Sequence, residues 1–128
     1  MTGFDHDRVS EAIGTALSGP GGVGLVVRVF CGIPGVVLTP ARSGLFRSQP
    51  ERTQIGDWRY EVTPDGRLRA AHVVNGIVLA EDVLAAAAVG PHIARALGQV
   101  VTHYGPSIMP NVDAALEVLE AGTGPGYR

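Results

Sequence analysis

The residues from Gly19 to Gly24 read GPGGVG and match the GxGxxG pattern that binds dinucleotide phosphates. In that motif the glycines lie between a strand and the N-terminus of a helix, where free N–H groups meet the pyrophosphate. Here they follow a predicted helix over residues 7–18 and precede a valine-rich run, 24–31, that predicts a strand. The order is reversed, and the chain contains no lysine to complete a P-loop. We therefore expect a helix end and a turn, and no nucleotide site.

His72 is the candidate for general acid–base catalysis. It falls on the predicted core face of a sheet, opposite Trp58, with Asp57 and Asp82 near it in the sequence. A buried histidine beside a carboxylate can act as a general base. A core histidine that packs on the aromatic ring and donates to one neighbour fits the same pattern, and no nucleophile is placed beside it. We interpret His72 as structural and keep it as the one catalytic candidate.

The other histidines and the cysteine predict no metal and no cofactor. His92, Gln99 and His103 share one stripe of a predicted helix, but the two histidines are roughly 16 Å apart along its axis. We interpret this stripe as the solvated side of an amphipathic helix. Cys31 ends an apolar run, which is typical of a small buried side chain. The absence of lysine excludes a Schiff base with pyridoxal phosphate.

Arginines are the best candidates for binding a small ligand. Guanidinium groups bind carboxylates and phosphates through paired hydrogen bonds. Three arginines fall in a predicted irregular connection over residues 40–56, a length typical of functional loops, and three more follow on a predicted sheet face: Arg42, Arg47, Arg52, Arg59, Arg67 and Arg69. Because every basic residue is arginine, the same residues fit as solubilising charges. They support the hypothesis of a site for an anionic small molecule.

Two consecutive hairpins are predicted in the middle of the chain. Residues 57–62 and 67–74 alternate with period two around the turn Pro64-Asp65-Gly66, and Asn75-Gly76 is a strong type I′ turn signal. These turns predict the cross-strand pairs Val62–Leu68, Glu61–Arg69, Tyr60–Ala70, Trp58–His72, His72–Leu79, Val73–Val78 and Val74–Ile77. The face that carries Trp58 and Tyr60 is the predicted core.

The second face of these hairpins predicts an interface. It begins with charged residues and ends in small apolar ones: Ala71, Val73, Val78 and Ala80. A solvated antiparallel sheet would not normally expose such a patch. We expect a helix of the same chain, a second subunit or a ligand to cover it.

The elements before the hairpins are a helix and two strands. Residues 7–18 carry apolar side chains at helical spacing behind two aspartates. The run 24–31 is predicted to form a hairpin with residues 36–39.

The elements after the hairpins are helical. The apolar spacing becomes helical at Glu81, and Asp82 is the predicted cap of this helix. A break or kink is predicted at Gly90-Pro91. A last helix is predicted from an N-cap at Asn111 to Gly122. Residues 121–128 are expected to form a flexible tail. Strands grouped ahead of helices predict an α+β fold: an N-terminal helix, an antiparallel meander of four to five strands, and two or three C-terminal helices packed on the sheet.

Length and composition limit the possible partners. The 128 residues suit one domain, 1–128. A net charge of −2 and few aromatic residues argue against nucleic acid as a partner. No apolar run approaches the ~20 residues that span a bilayer, and the N-terminus has no leader-like segment, so we expect no membrane partner and a cytoplasmic location. A single cysteine excludes an intrachain disulfide.

Two resemblances complete the sequence interpretation. The arginine-only, alanine-, glycine- and valine-rich composition resembles that of small conserved proteins of unknown function common in actinobacteria. The run DGRLRAAHVV with the helix after it is similar to the C-terminal half of small secretion chaperones, which implies a fold analogy alone. We predict a non-enzymatic protein-interaction module, homodimeric and chaperone-like, whose partner is a second copy or another protein. The alternative is a small enzyme or binding protein for an anionic metabolite that uses residues 40–56.

Overall fold

A computed structural model describes residues 4–19, 21–44 and 48–123. Within these ranges a five-stranded antiparallel sheet carries helices on one face, and the predicted α+β class is confirmed. The helices are α1 (His6–Leu17), α2 (Gly22–Val29), α3 (Ala86–Tyr104) and α4 (Met109–Thr123). The strands are β1 (Val36–Thr39), β2 (Arg42–Ser43), β3 (Ser48–Gln49), β4 (Arg52–Ile55), β5 (Trp58–Val62), β6 (Leu68–Val74) and β7 (Ile77–Leu84). The sheet order is β1-β4-β5-β6-β7, and β2 and β3 form a separate small hairpin.

The core lies between the helices and the sheet face that carries Tyr60. Tyr60, Ile55 and Leu68 are fully buried on this face, as predicted for Tyr60 and Leu68. The helices contribute their apolar stripes: Val9, Ile13, Val26, Ile93, Leu97, Leu116 and Leu119. No helix in the described ranges is both long enough and apolar enough to cross a membrane.

The predicted register of the hairpins is confirmed except at one position. All four predicted pairs between β5 and β6 are present, and so are Val74–Ile77 and Val73–Val78. A bulge then shifts the register, so that His72 pairs with Ala80 and not with Leu79. Because cross-strand partners share a face, Ala80 lies on the face of His72, and its assignment to the second face is wrong.

Residues 24–31 do not form a strand. They belong to α2 and to a 3₁₀ turn over Phe30–Gly32, so the predicted hairpin with residues 36–39 is wrong, and β1 pairs with β4 instead. Val23, Val26, Val27 and Phe30 have the helical spacing i, i+3, i+4, i+7, and the last three are buried. Packing of this stripe outweighs the strand preference of valine.

The connection over residues 40–56 is more regular than predicted. It contains β2, β3 and β4, and β4 lies between β1 and β5 in the sheet. The alternation of β4 was hard to recognise because Ile55 is its one apolar residue, while the buried position of Thr53 is polar. Arg47 lies outside the described residues.

The helical half begins later than predicted. Strand β7 continues to Leu84, so Asp82 lies in a strand and does not cap a helix; Ala85 is the N-cap residue of α3. Pro91 lies inside α3 without ending it.

Two expectations for α4 also change. Asn111 lies within α4, where its Nδ2 donates to the carbonyl of Gly32 at 3.3 Å, so it is not the N-cap. Residues 121–123 belong to the last turn of α4, which corrects the predicted tail there, and residues 124–128 lie outside the described part of the chain.

Candidate functional site

His72 lines a concavity of about 590 Å³ between one end of the sheet and the C-terminal half of α3. We call it the histidine pocket. Its polar lining residues are Gln54, Asp57, His72, Gln99, His103 and Tyr104, and Gly35, Val37, Gly56 and Val100 complete it. The structure thus brings Asp57 and His72 to one pocket with Gln99 and His103. Asp82 is not part of this lining.

Two glycines let α3 approach the sheet closely at this pocket. Gly35 has φ +89°, and a Cβ atom there would lie 2.8 Å from the Tyr104 ring and 2.9 Å from Val100. Gly56 has φ +58°, and its Cβ would lie 3.3 Å from Val100. Both positions therefore require glycine, for backbone conformation and for space.

A row of aromatic rings holds His72 in place. Its imidazole stacks on Trp58 with ring centroids 4.8 Å apart and an angle of 21°. Trp58 and His92 form an edge-to-face pair with ring centroids 4.4 Å apart, and the Tyr60 hydroxyl lies 2.8 Å from His92 Nδ1. The stacking of His72 on Trp58 agrees with the structural interpretation of this histidine. His92, by contrast, is half-buried against Tyr60, so its assignment to a solvated stripe is wrong.

The Tyr60–His92 pair is uncharged at neutral pH. Burial raises the pKa of the Tyr60 phenol well above its ordinary value. Burial, and to a smaller extent Arg95, lowers the pKa of the His92 imidazole. A neutral phenol can donate its proton to Nδ1 of a neutral imidazole, which would place the His92 proton on Nε2. The pair therefore joins the sheet to α3 without burying a charge.

The lowered pKa of His92 predicts a loss of stability in mild acid. Below a pH of about 6.5 the unfolded chain takes up a proton at this histidine that the folded chain resists, so the free energy of unfolding falls until the folded-state pKa is also passed. We expect urea denaturation to show a decrease from pH 7 to pH 5.5 that His92→Asn reduces, since asparagine can accept from Tyr60 and does not titrate. An equal decrease in both proteins would contradict this assignment. The hydrogen bond from Arg28 lowers the pKa of Glu51, so the stability that this carboxylate contributes is lost only at a lower pH, below the ordinary carboxyl pKa.

The predicted arginine site is only partly assembled. Arg42 and Arg69 line a second concavity of about 650 Å³, together with Ser43, Ser48 and the carboxylate of Glu61. Arg52 donates to the side chain of Gln49 instead, at 3.2 Å. Arg59 Nε lies 3.9 Å from Glu61 Oε2, which is too far for a hydrogen bond, and this buried atom has no hydrogen-bond partner among the described residues.

Charged side chains lie beside the predicted apolar patch on the second sheet face. Glu61 lies 3.7 Å from Arg69, which in turn lies 3.9 Å from Glu81. Ala71 pairs with Arg59 and Glu81 in the strands beside it, and it is only 2 % exposed. The aliphatic stems of long charged residues can cover a small apolar neighbour in this way. Ala71 is therefore not available as an interface residue.

The apolar surface lies instead at the end of the last hairpin. Strand β5 begins opposite His72, so residues 73–79 project past it as a two-stranded ribbon, which we call the hairpin tip. Ile77, Val78 and Leu79 are 62 %, 45 % and 60 % exposed. Three consecutive exposed apolar residues on a projecting ribbon are unusual for a solvated surface.

The surroundings of Cys31 and the chain order around the glycine-rich stretch do not favour a thiolate nucleophile or a dinucleotide site. The Cys31 thiol lies 3.8 Å from the carbonyl of Val27, and burial raises its pKa, which opposes the thiolate form. The glycine-rich stretch joins α1 to α2, so the expected junction between a helix and a strand is wrong. The stretch does precede a helix, but it follows another helix and not the strand of a dinucleotide motif. Among the described residues no three histidine, cysteine or acidic side chains are grouped for a metal ion.

Comparison with known protein families gives one match. A family model described as a domain of unknown function, DUF5073, matches residues 1–121. The chain belongs to the DUF5073 family. The DUF5073 match covers both the histidine pocket and the hairpin tip, so both are features of the family domain in this chain. No curated protein and no solved structure matches the chain. Geometry and chemistry therefore carry the functional argument.

Proposed function

We propose that this DUF5073 domain is a non-enzymatic interaction module that forms a homodimer through its hairpin tip. The observation that carries the proposal is the exposure of Ile77, Val78 and Leu79 on a ribbon that projects past the sheet. Burial of apolar surface is the main favourable term in protein association. The tip takes the place of the predicted interface. It includes Val73 and Val78, and it does not include Ala71, which is buried, or Ala80, which lies beyond its end.

The charges on β7 favour a two-fold arrangement of two copies. Strand β7 is an edge of the sheet, and its C-terminal half carries Glu81 and Asp82, which disfavour addition of a strand there. A two-fold axis perpendicular to β7 at the tip would make the two copies antiparallel and would place their carboxylates at opposite ends of the contact. A parallel arrangement would place like charges side by side, at a cost in free energy. The two-fold contact also closes, so it ends at a dimer.

The test is a comparison of two surface substitutions by light scattering after size exclusion. We expect the unchanged chain to be a dimer at tens of micromolar, and the double variant Ile77→Ser/Leu79→Ser to be a monomer. Both side chains are largely exposed, so the fold should tolerate the change. Val118→Ser on α4, where the valine is 54 % exposed, is the matched control and should remain a dimer. A strictly monomeric unchanged chain, or a dimer that the tip variant does not weaken, would refute the proposal.

The proposal also covers the cellular compartment of the dimer, its source and its chaperone-like character. We place the dimer in the cytoplasm of an actinobacterium, supported by a single cysteine and an arginine-only composition. The chaperone-like character rests on the resemblance of the second half to secretion chaperones. In that case the tip would be the surface shared between a second copy and a client.

An anionic metabolite is the second candidate. Arg42 and Arg69 support it, because they line one concavity together with two serine hydroxyls. Glu61 opposes it, since its carboxylate lines the same concavity and already lies close to Arg69. Thermal stabilisation by inorganic phosphate that is lost in Arg42→Gln would favour this function. No increase in thermal stability at millimolar phosphate would rule out this second function.

A further inference from the structure

We propose that the histidine pocket binds an uncharged nitrogen heterocycle of the nucleobase or nucleoside class. This site is separate from the hairpin tip and does not depend on the dimer. Its volume of about 590 Å³ falls in the range of small-molecule sites, roughly 300–1,000 Å³.

The polar groups of the pocket are largely unused within the protein. In the described part of the chain, no hydrogen bond joins the side chains of Asp57, His72, Gln99 and Tyr104 to another residue, and all of these except His72 are exposed to solvent. The ring of His103, also exposed, lies edge-on to the ring of Tyr104 with centroids 5.0 Å apart. Asp57 differs in this respect from charged residues such as Arg28, which pairs with Glu51, and Arg8, which pairs with Glu120. The pocket is thus a concentration of donors and acceptors that a ligand could satisfy.

Two parts of the pocket lining pack against other residues of the fold. His72 is fixed by its stack on Trp58, which is supported by His92 and Tyr60. On the opposite wall, Val100 and Tyr104 pack against Gly35. Groups that are already ordered lose little conformational entropy on binding, which favours a specific ligand.

The chemistry of the lining selects the class of ligand. Asp57 can accept two N–H groups, and the amides of Gln54 and Gln99 each offer a donor and an acceptor, a set that matches the hydrogen-bonding edge of a base. Gln54 already donates to the carbonyl of Gly56 at 2.8 Å, so its oxygen and one N–H remain. Tyr104 is 49 % exposed and offers a ring for stacking.

The same lining disfavours a phosphorylated ligand. None of the described residues that form the pocket is an arginine, and the chain has no lysine. The carboxylate of Asp57 would repel a phosphate nearby. We therefore expect a base or nucleoside to bind more tightly than the corresponding nucleotide.

The test is titration calorimetry of the full chain with guanosine, adenosine, cytidine and uridine, and with their 5′-monophosphates. We expect at least one nucleoside to bind more tightly than its monophosphate. Asp57→Asn should weaken that binding by about tenfold or more, because an acceptor of two N–H groups becomes in part a donor. Asp82→Asn, an exposed carboxylate in β7 outside the pocket, is the matched control and should leave affinity unchanged.

Three results would overturn the proposal. These are no binding of any nucleoside at millimolar concentration, an equal effect of Asp57→Asn and Asp82→Asn, and tighter binding of the monophosphates. Amide chemical shifts of both variants show whether each is folded, so a loss of binding in a folded Asp57→Asn protein reports on the pocket itself. The oligomeric state measured in the same samples keeps this test independent of the dimer.

Discussion

Replacing Gly90 with alanine is expected to lower the free energy of unfolding by about 1–3 kcal/mol, the usual cost of overpacking. A Cβ atom at Gly90 would lie 2.6 Å from the backbone oxygen of Ser10 and 3.0 Å from its hydroxyl. The clash is with the backbone of α1, so it cannot be relieved by rotation of a side chain. Helices α1 and α3 would have to separate, and the buried contacts around Ile13 and Ile93 would loosen.

The matched control is the same substitution at Gly14 in α1. No atom lies within 4 Å of the position that its Cβ would take. Alanine is favoured over glycine inside a helix by about 1 kcal/mol, so Gly14→Ala should stabilise the protein. Urea denaturation of the two variants should therefore give changes of opposite sign. A stabilising Gly90→Ala would show that α1 and α3 are not in close contact.

Truncation of Tyr60 to alanine is expected to cost about 3–5 kcal/mol, the range for a large aromatic side chain in a core. Tyr60 is fully buried at the centre of the sheet and pairs with Thr53 and Ala70. Its hydroxyl also reaches His92 in α3, so the change removes both packing and a hydrogen bond.

Phenylalanine separates the two contributions. Tyr60→Phe keeps the ring and removes only the hydrogen bond, so we expect a loss of about 1 kcal/mol. Tyr104→Phe is the control, since that hydroxyl has no partner in the described part of the chain and the residue is 49 % exposed. It should change stability by less than about 0.5 kcal/mol. Equal effects in urea denaturation would contradict the role of the Tyr60–His92 pair.

The central hairpins were predictable because the sequence contains independent local signals for them. The turns at Pro64-Asp65-Gly66 and Asn75-Gly76 set the register, and Glu61 opposite Arg69 agrees with it. The bulge beside Val73 was not predictable, because no local residue demands it. That single extra residue moves Ala80 to the other face.

Helix α2 shows where local preference fails. Its valines favour a strand in isolation, yet a helical stripe buries Val26, Val27 and Phe30 against the rest of the core. The spacing was present in the sequence, but a short apolar run does not decide between the two periods. In this fold, packing of the apolar stripe against the core favours the helix over the strand.

The lining of the histidine pocket was predictable only in part. His72 beside Trp58 followed from the register, and Asp57 was expected near it. The approach of Gln99 and His103 to the same pocket depends on how α3 crosses the sheet, which no local pattern specifies. The contact between Tyr60 and His92 depends on the same crossing.

A dimer through the hairpin tip can be detected by isotope-filtered nuclear Overhauser measurements on a mixture of labelled and unlabelled chains. We expect intermolecular contacts among the methyl groups of Ile77, Val78 and Leu79, and none at Val118. Intermolecular contacts confined to α4, or their absence at several hundred micromolar, would contradict it.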